Sequence, residues 1–274
     1  MPPAFRCPSC ANPLQESAAG FGCERGHHFD RAREGYVNLI PGGRLRSRPA
    51  GDDDRMVKAR RAVLDAGLYS PIIEAVATEV SLVRPRFILD AGCGEGSYLG
   101  RTAELSAALG WGIDVSKPAV KLAANRHREA RFAIASSYTL PFEDETFDAV
   151  INVFSPRDFP EMRRVVRAGG VAVVVTPGPH HLAQLKALLY DDPREHAEVA
   201  GGQDGAERVS TVRFDLDLTD PAVRSSLLEM TPYWWSATAE RRDVVLATAL
   251  EVTVDVRIAL YRFDTSPDVP EQGL

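Results

Sequence analysis

Long apolar runs are absent from this 274-residue chain, and Met1-Pro2-Pro3 opens nothing like a secretion signal. Neither a membrane-spanning helix nor export is therefore expected, and a cytoplasmic protein is. Cysteine is scarce, with 4 residues, and in a reducing compartment a cysteine cluster reads as a metal site and not as a disulfide frame. A large excess of basic charge is missing too: the net charge is −6, which argues against a surface built throughout for nucleic acid. No internal repeat is present. The glycine-rich loop in the middle of the chain lacks a Walker lysine, and its third glycine comes one residue too early for the G-x-G-x-x-G of dinucleotide dehydrogenases. What remains is an ordinary globular composition, 45% hydrophobic and 26% charged, long enough for one large domain or a large domain with a small partner.

Three of the four cysteines fall within the first 27 residues. Cys7-Pro8-Ser9-Cys10 is followed by Cys23-Glu24-Arg25-Gly26-His27, a C-x2-C-x12-C-x3-H spacing. Two thiolates two residues apart grip one face of a tetrahedral zinc ion, and a second pair closes the other, leaving no position for water; such a site is structural. His27 gives the commoner spacing for the fourth ligand, with adjacent His28 as the alternative. Unliganded cysteines are the plainer reading.

Charge is unevenly spread. Residues 1–61 hold 11 Lys/Arg against 7 Asp/Glu, a balance of +4, which leaves −10 for the rest. Arg44, Arg46 and Arg48 alternate in a loop bounded by glycine and proline, and Arg60 and Arg61 follow on a predicted helix. This basic surface is the candidate for phosphate contact, a solvated charged loop being the bland alternative.

The chain divides into a zinc-binding segment at 1–38, a basic linker and helical segment at 39–84, and a larger domain at 85–274. Helices are predicted over 54–66, stopped by Gly67, and over 71–82. From Arg86 strand and helix alternate: strands near 87–89, 111–113, 131–135 and 147–154, then the uninterrupted apolar run 171–175 of a central parallel strand. Over 252–260 apolar and polar residues alternate, predicting a last strand with one covered and one more exposed face, part of an antiparallel hairpin at the sheet edge. Residues 191–206 read as a surface loop and the tail after Asp264 as frayed.

Asp90-Ala91-Gly92-Cys93-Gly94-Glu95-Gly96 follows the first of these strands and opens a helix, so backbone N–H groups can approach a ligand closely. This D-x-G-x-G-x-G form resembles the first motif of class I S-adenosylmethionine methyltransferases. Asp114 ends the next strand, 24 residues after Asp90, where a carboxylate can accept both ribose hydroxyls. Ser136 ends the third strand, at the adenine position of that class. Asn152-Val153-Phe154-Ser155-Pro156 follows the fourth; Phe154 could stack on a guanine while Asn152 and Ser155 bond its edge. Equally, Phe154 could be core and Asn152 a turn former. The loop is not of the N-P-P-Y type used on exocyclic amines, which points to a ring nitrogen.

Taken along nearly its whole length, the chain resembles the RlmA-type 23S rRNA (guanine-N1)-methyltransferases. The stretches that carry the likeness are the Cys7/Cys10/Cys23/His27 block, Glu34–Leu39, Ala59-Arg60-Arg61 with Leu64–Gly67 and Tyr69, Thr176–Pro179 with His181-Leu182, and Met230-Thr231-Pro232. The resemblance implies a Rossmann-like α/β fold, with a seven-stranded sheet and an antiparallel last strand, behind a small zinc domain. It implies zinc on Cys7, Cys10, Cys23 and His27, and S-adenosylmethionine held by Tyr69, Gly94, Glu95 and His181 in addition to Asp90, Gly92, Gly96, Asp114 and Ser136. The partner it implies is a 23S rRNA hairpin near the peptide exit tunnel, and one branch of the family contributes to tylosin resistance. A homodimer is compatible with the sequence and not required by it.

For guanine N1 the proton must leave before or during attack, and Asp158, His181 or water are the candidates to take it. Two rivals stand beside rRNA methylation: a methyltransferase acting on a small molecule, which has no use for the basic segment, and a non-catalytic ribosome- or RNA-binding protein with a relic cofactor fold, against which the intact glycine loop argues.

Overall fold

The computed structural model describes residues 2–40, 51–192 and 205–263. The linker arginines Arg44, Arg46 and Arg48, most of the expected surface loop at 191–206 and the tail from Asp264 onward lie outside the described residues.

The N-terminal segment forms a three-stranded antiparallel sheet from β1 (Gln15–Ser17), β2 (Gly20–Gly22) and β3 (His28–Asp30), followed by the short β4 (Val37–Asn38). Two helices come next, α1 (Asp54–Asp65) and α2 (Ser70–Ser81), within a residue of their predicted bounds. Asp53 caps α1 by accepting the Met56 N–H at 2.8 Å. Then come β5 (Phe87–Ala91), α3 (Ser97–Ser106), β6 (Leu109–Asp114), α4 (Lys117–Arg126), β7 (Arg131–Ile134), β8 (Phe147–Val153), α5 (Phe159–Val165), β9 (Val166–Pro177) and α6 (Ala183–Leu189), the strands overlapping their predicted positions. Ser116 caps α4, accepting the Ala119 N–H at 3.3 Å, with Pro118 in the first turn. The C-terminal part adds β10 (Arg208–Asp217), α7 (Pro221–Glu229), α8 (Tyr233–Ser236), α9 (Ala239–Ala247) and β11 (Glu251–Phe263).

The large sheet runs β10-β11-β9-β8-β5-β6-β7-β4. Seven strands make the expected array, and β11 lies antiparallel to both β9 and β10. An eighth strand joins them: β4 pairs parallel with β7, Val37 against Ala133 and Asn38 against Ile134, and the Leu39 N–H continues the ladder to the Ile134 carbonyl at 2.9 Å. The N-terminal segment thus adds a strand to the main sheet.

Why it packs there follows from what the sheet lacks. Residues 135–146, between β7 and β8, contain no helix, so one face of the sheet needs other cover. Phe5, Leu14 and Phe21 supply it, sharing one buried cluster with Leu89, Trp111, Phe142, Phe147 and, from α5, Met162 and Val165. The Phe5 ring lies 5.3 Å from Phe142 and 6.0 Å from Phe21, and Phe142 meets Phe147 edge-on at 4.8 Å. The opposite face packs on α2, α3, α4, α6 and α7 through residues such as Ile72, Val76, Leu99, Val120, Leu185 and Leu227.

The edge differs from expectation. β11 is buried on both faces, Thr253 and Asp255 included: Gln184 bonds Thr253, the 178–181 loop lies on Asp255, and β10 closes the edge away from β9 along ten residues. The half-exposed edge strand is β10, whose outward side chains are polar or exposed.

A candidate cofactor site and zinc centre

Cys7, Cys10, Cys23 and His27 converge, with one ligand atom from each lying within 4.8 Å of all the others. Cys10 Sγ is 3.6 Å from Cys23 Sγ, and His27 Nδ1 is 3.5 Å from Cys7 Sγ and 3.4 Å from Cys23 Sγ. A tetrahedral zinc with Zn–S of about 2.3 Å and Zn–N of about 2.0 Å separates two sulfurs by about 3.8 Å and sulfur from nitrogen by about 3.5 Å. The donors therefore stand at the edges of a zinc tetrahedron, with His27 bonding through Nδ1. His28 is excluded from it: its ring is half exposed and its Nε2 lies 3.6 Å from Asp30. Among the described residues this is the one His/Cys/Asp/Glu group built to hold a metal.

The second site forms where β5 lies between β6 and β8, the point at which strand order reverses and carboxyl ends of strands diverge into a crevice. Asp90 ends β5 fully buried, and its Oδ1 has no hydrogen-bond partner. Burial pushes the Asp90 carboxyl well above the usual carboxylate range, and the charges of Asp114 and Glu95 push it the same way. Glu95 is also buried; its Oε1 accepts the Ser97 N–H at 3.1 Å, while Oε2 has no hydrogen bond and lies 3.8 Å from Arg126 Nη1. Asp114 is raised by burial as well, countered by N–H donors from Ser116 at 2.8 Å and Gly94 at 3.0 Å. Each of its oxygens keeps a lone pair for a further hydroxyl.

Gly92, Gly94 and Gly96 all have positive φ. At Gly92 the requirement is also steric, because an added Cβ would come within 2.5 Å of the Ser155 Cβ. The loop after β8 thus rests directly on the glycine loop after β5.

The Asn152–Ser155 loop carries the most unusual backbone of the site. Phe154 has φ +50°, a left-handed conformation uncommon for an aromatic residue, and it is 40% exposed beside buried Tyr69 and His181. Its N–H bonds the Val175 carbonyl at 3.1 Å, and its ring stacks on His181 at 5.7 Å and leans on Tyr69 at 6.5 Å. Phe154 is accordingly presented and not core. Asn152 is fully buried; its Nδ2 donates to the Ala91 carbonyl at 2.6 Å and so fastens the two loops together, while its Oδ1 has no hydrogen-bond partner. Ser155 is half-buried against Gly92. Ser136 accepts the Tyr138 N–H at 3.2 Å, and Ser137 ties the same loop to Pro156 at 2.9 Å.

His181 is positioned from an unexpected direction. Asp255 of β11 is buried; its carboxylate accepts the His180 N–H at 3.0 Å, its carbonyl accepts the Gly178 N–H at 2.8 Å, and its own N–H donates to His181 Nδ1 at 3.3 Å. A Cβ on Gly178 would stand 2.6 Å from that carboxylate, so glycine is what lets the loop close over it. The alternating pattern over 252–260 had placed Asp255 on an exposed face. An acid inside the buried pairing partner of a Pro-Gly-Pro loop was the signal available.

Two further expectations shift. Arg60, read as a phosphate contact, has Nη1 3.7 Å from the Cβ position of Gly94 and pairs with Asp52, inside the cofactor crevice. Arg61 does face outward, in an exposed i,i+4 pair with Asp65 at 3.1 Å. Asp158 caps α5 by accepting the Glu161 N–H at 2.9 Å.

The donor set fits S-adenosylmethionine: orphaned buried carboxylate oxygens suit its positive charges, Asp114 suits its ribose, and the glycine loop admits its methionine end. Fold and site together define a class I S-adenosylmethionine-dependent methyltransferase with a structural zinc site.

The family comparisons agree. Residues 5–48 match the model described as RlmA, N-terminal, a zinc ribbon, and residues 88–170 match the methyltransferase domain. A 23S rRNA (guanine(748)-N(1))-methyltransferase of Streptomyces fradiae is 38% identical over 94% of this chain and 96% of its own. Two relatives that carry the provisional name 23S rRNA (guanine-N(1)-)-methyltransferase are 37% identical, from Micromonospora griseorubida, and 32% identical, from Bacillus subtilis. They cover 95% and 93% of this chain, and 97% and 96% of their own lengths. The chain belongs to the 23S rRNA (guanine-N1)-methyltransferase family.

Proposed function

We propose that the protein transfers a methyl group from S-adenosylmethionine to N1 of a guanine in a 23S rRNA hairpin near the peptide exit tunnel, with macrolide sensitivity of the tylosin type as its consequence. The observation that carries this reading is Phe154. An aromatic ring held at positive φ, exposed between Tyr69 and His181 at the mouth of a crevice lined by acids, is a platform for one unstacked base. Family membership supports rRNA as the source of that base.

Bound S-adenosylmethionine would supply an electrophilic methyl group on its sulfonium for transfer to guanine N1. The chain's own task is alignment. Tyr69, the glycine loop, Glu95, Asp114, Ser136 and His181 hold the donor, and Asn152 locks the Phe154 loop to β5 so that the acceptor plane is fixed relative to it. Ser155 packs against Gly92 beside this junction. The proton on guanine N1 goes to water. Asp158 stands at the start of α5, where its Oδ1 caps the helix, and His181 Nδ1 accepts the Asp255 N–H, so a neutral His181 ring carries its proton on Nε2.

Residues 1–38 act as the RNA-recognition module, and the basic 44–48 stretch with Arg61 meets phosphates; an exposed pair such as Arg61–Asp65 is weak and yields to a phosphate. Incubation of purified protein with 23S rRNA and isotopically labelled cofactor, followed by nuclease digestion and mass spectrometry, should give labelled 1-methylguanosine. Label on another base or another guanine atom, or transfer to small molecules alone, would overturn the reading.

A further inference from the structure

Arg60 is aimed into the molecule. It lies on α1, pairs with the Asp52 carboxylate, and comes 3.7 Å from the Cβ position of Gly94 in the cofactor loop. Its charge acts on Asp114, Tyr69 and Tyr98 together, which places the guanidinium among the side chains that line the crevice. Asp52 is itself held in place, because the Ser116 hydroxyl donates to its carbonyl at 2.6 Å.

The crevice is otherwise acidic. Asp90 Oδ1 and Glu95 Oε2 are buried acceptors without hydrogen bonds, and they suit the cationic groups of an amino acid. Its carboxylate needs a cation. Arg126 is the other guanidinium at this loop, and it is already shared between Asp65 at 2.7 Å and Glu95 at 3.8 Å. Arg60 is engaged by Asp52, a carboxylate on the segment that leads into α1.

We infer that Arg60 is the anchor for the carboxylate at the methionine end of the cofactor, and that Asp52 is an internal stand-in which the ligand carboxylate displaces. Arginine suits the task because its planar fork bonds a carboxylate in bidentate fashion. The inference rests on the cofactor and not on the rRNA substrate, so failure of rRNA methylation leaves its test intact.

The test is calorimetric titration of the zinc-loaded, full-length protein with two ligands: S-adenosylhomocysteine, which has the carboxylate, and 5′-methylthioadenosine, which lacks the whole amino acid end. Arg60→Gln should weaken S-adenosylhomocysteine by about 10- to 100-fold, the range for a lost hydrogen bond to a charged group, and leave methylthioadenosine unchanged. Asp52→Asn should act oppositely, tightening S-adenosylhomocysteine alone, since a competing carboxylate has gone. Equal weakening of both ligands by Arg60→Gln, no effect on either, or a loss of S-adenosylhomocysteine affinity in Asp52→Asn would overturn the inference. So would a defect of Arg60→Gln confined to RNA binding.

Discussion

Asp90→Asn should make the cofactor-free protein more stable and shrink the stabilisation that the cofactor adds. Asp90 is buried with an unpartnered Oδ1, beside Asp114 and Glu95, and no ion pair reaches it among the described residues. A buried unsatisfied polar group costs about 1–3 kcal/mol, and a charged one more. The asparagine amide keeps the shape, removes the charge and can donate to the neighbouring acids. At about 2–4 °C per kcal/mol for a chain of this size, the melting temperature without ligand should rise by several degrees. The sign with pH is fixed by the raised carboxyl. The folded state holds its proton where the unfolded chain has lost it, so wild-type stability falls as pH rises from about 4 through the elevated folded value. The advantage of Asp90→Asn should therefore vanish below about pH 4 and grow toward neutrality, with Asp114, also raised, leaving some pH dependence behind. Ligand binding works in the opposite direction. A ligand at 100 times its dissociation constant stabilises by about 2.7 kcal/mol; if losing the charge weakens it 100-fold, the same concentration yields about 0.4 kcal/mol. Thermal melts at pH 5 and pH 8, with and without S-adenosylhomocysteine, read all four corners. A lower ligand-free melting temperature for Asp90→Asn at pH 8, or a ligand-induced shift equal to the wild type's, would refute the reasoning.

Three other outcomes are expected. His27→Ala should abolish stoichiometric zinc by elemental analysis while His28→Ala retains it, and because Phe5 and Phe21 share a buried cluster with Trp111 and Phe147, chelation should lower the melting temperature of the whole protein in one transition. Gly92→Ala should destabilise by about 1–3 kcal/mol through its clash with Ser155 and its positive φ, and Ser155→Gly added to it should recover only the steric part, as denaturant melts would show. Phe154→Ala should slow rRNA methylation by about 5- to 150-fold, the worth of one stacked base, measured as kcat/KM; retention of wild-type kcat/KM would remove the stacking role.

Much of this protein is local and so could be read from the chain. The C-x2-C-x12-C-x3-H spacing specifies its own metal geometry, because four ligands in 21 residues can reach one ion whatever surrounds them. The strand–glycine loop–helix at 87–106 and the caps at Asp53 and Ser116 are equally short-range. Even Asp114 was legible, since successive strands of a parallel sheet place their ends side by side.

What the sequence could not determine depends on partners distant along the chain. Val37-Asn38 becomes a sheet strand only because β7 would otherwise be an open edge. Asp255 looks exposed by alternation and is buried because β10, a strand the sequence reading did not identify, pairs along β11 and the 178–181 loop closes over the carboxylate. Asn152 and Arg60 have the chemistry of RNA contacts, yet one is drawn inward by a backbone carbonyl 61 residues away and the other by Asp52 and the glycine loop. Residue type and spacing named the groups of the candidate site; tertiary packing decided which of them are buried and what they bond, because burial and hydrogen-bond partners are properties of the folded surroundings and not of the residue.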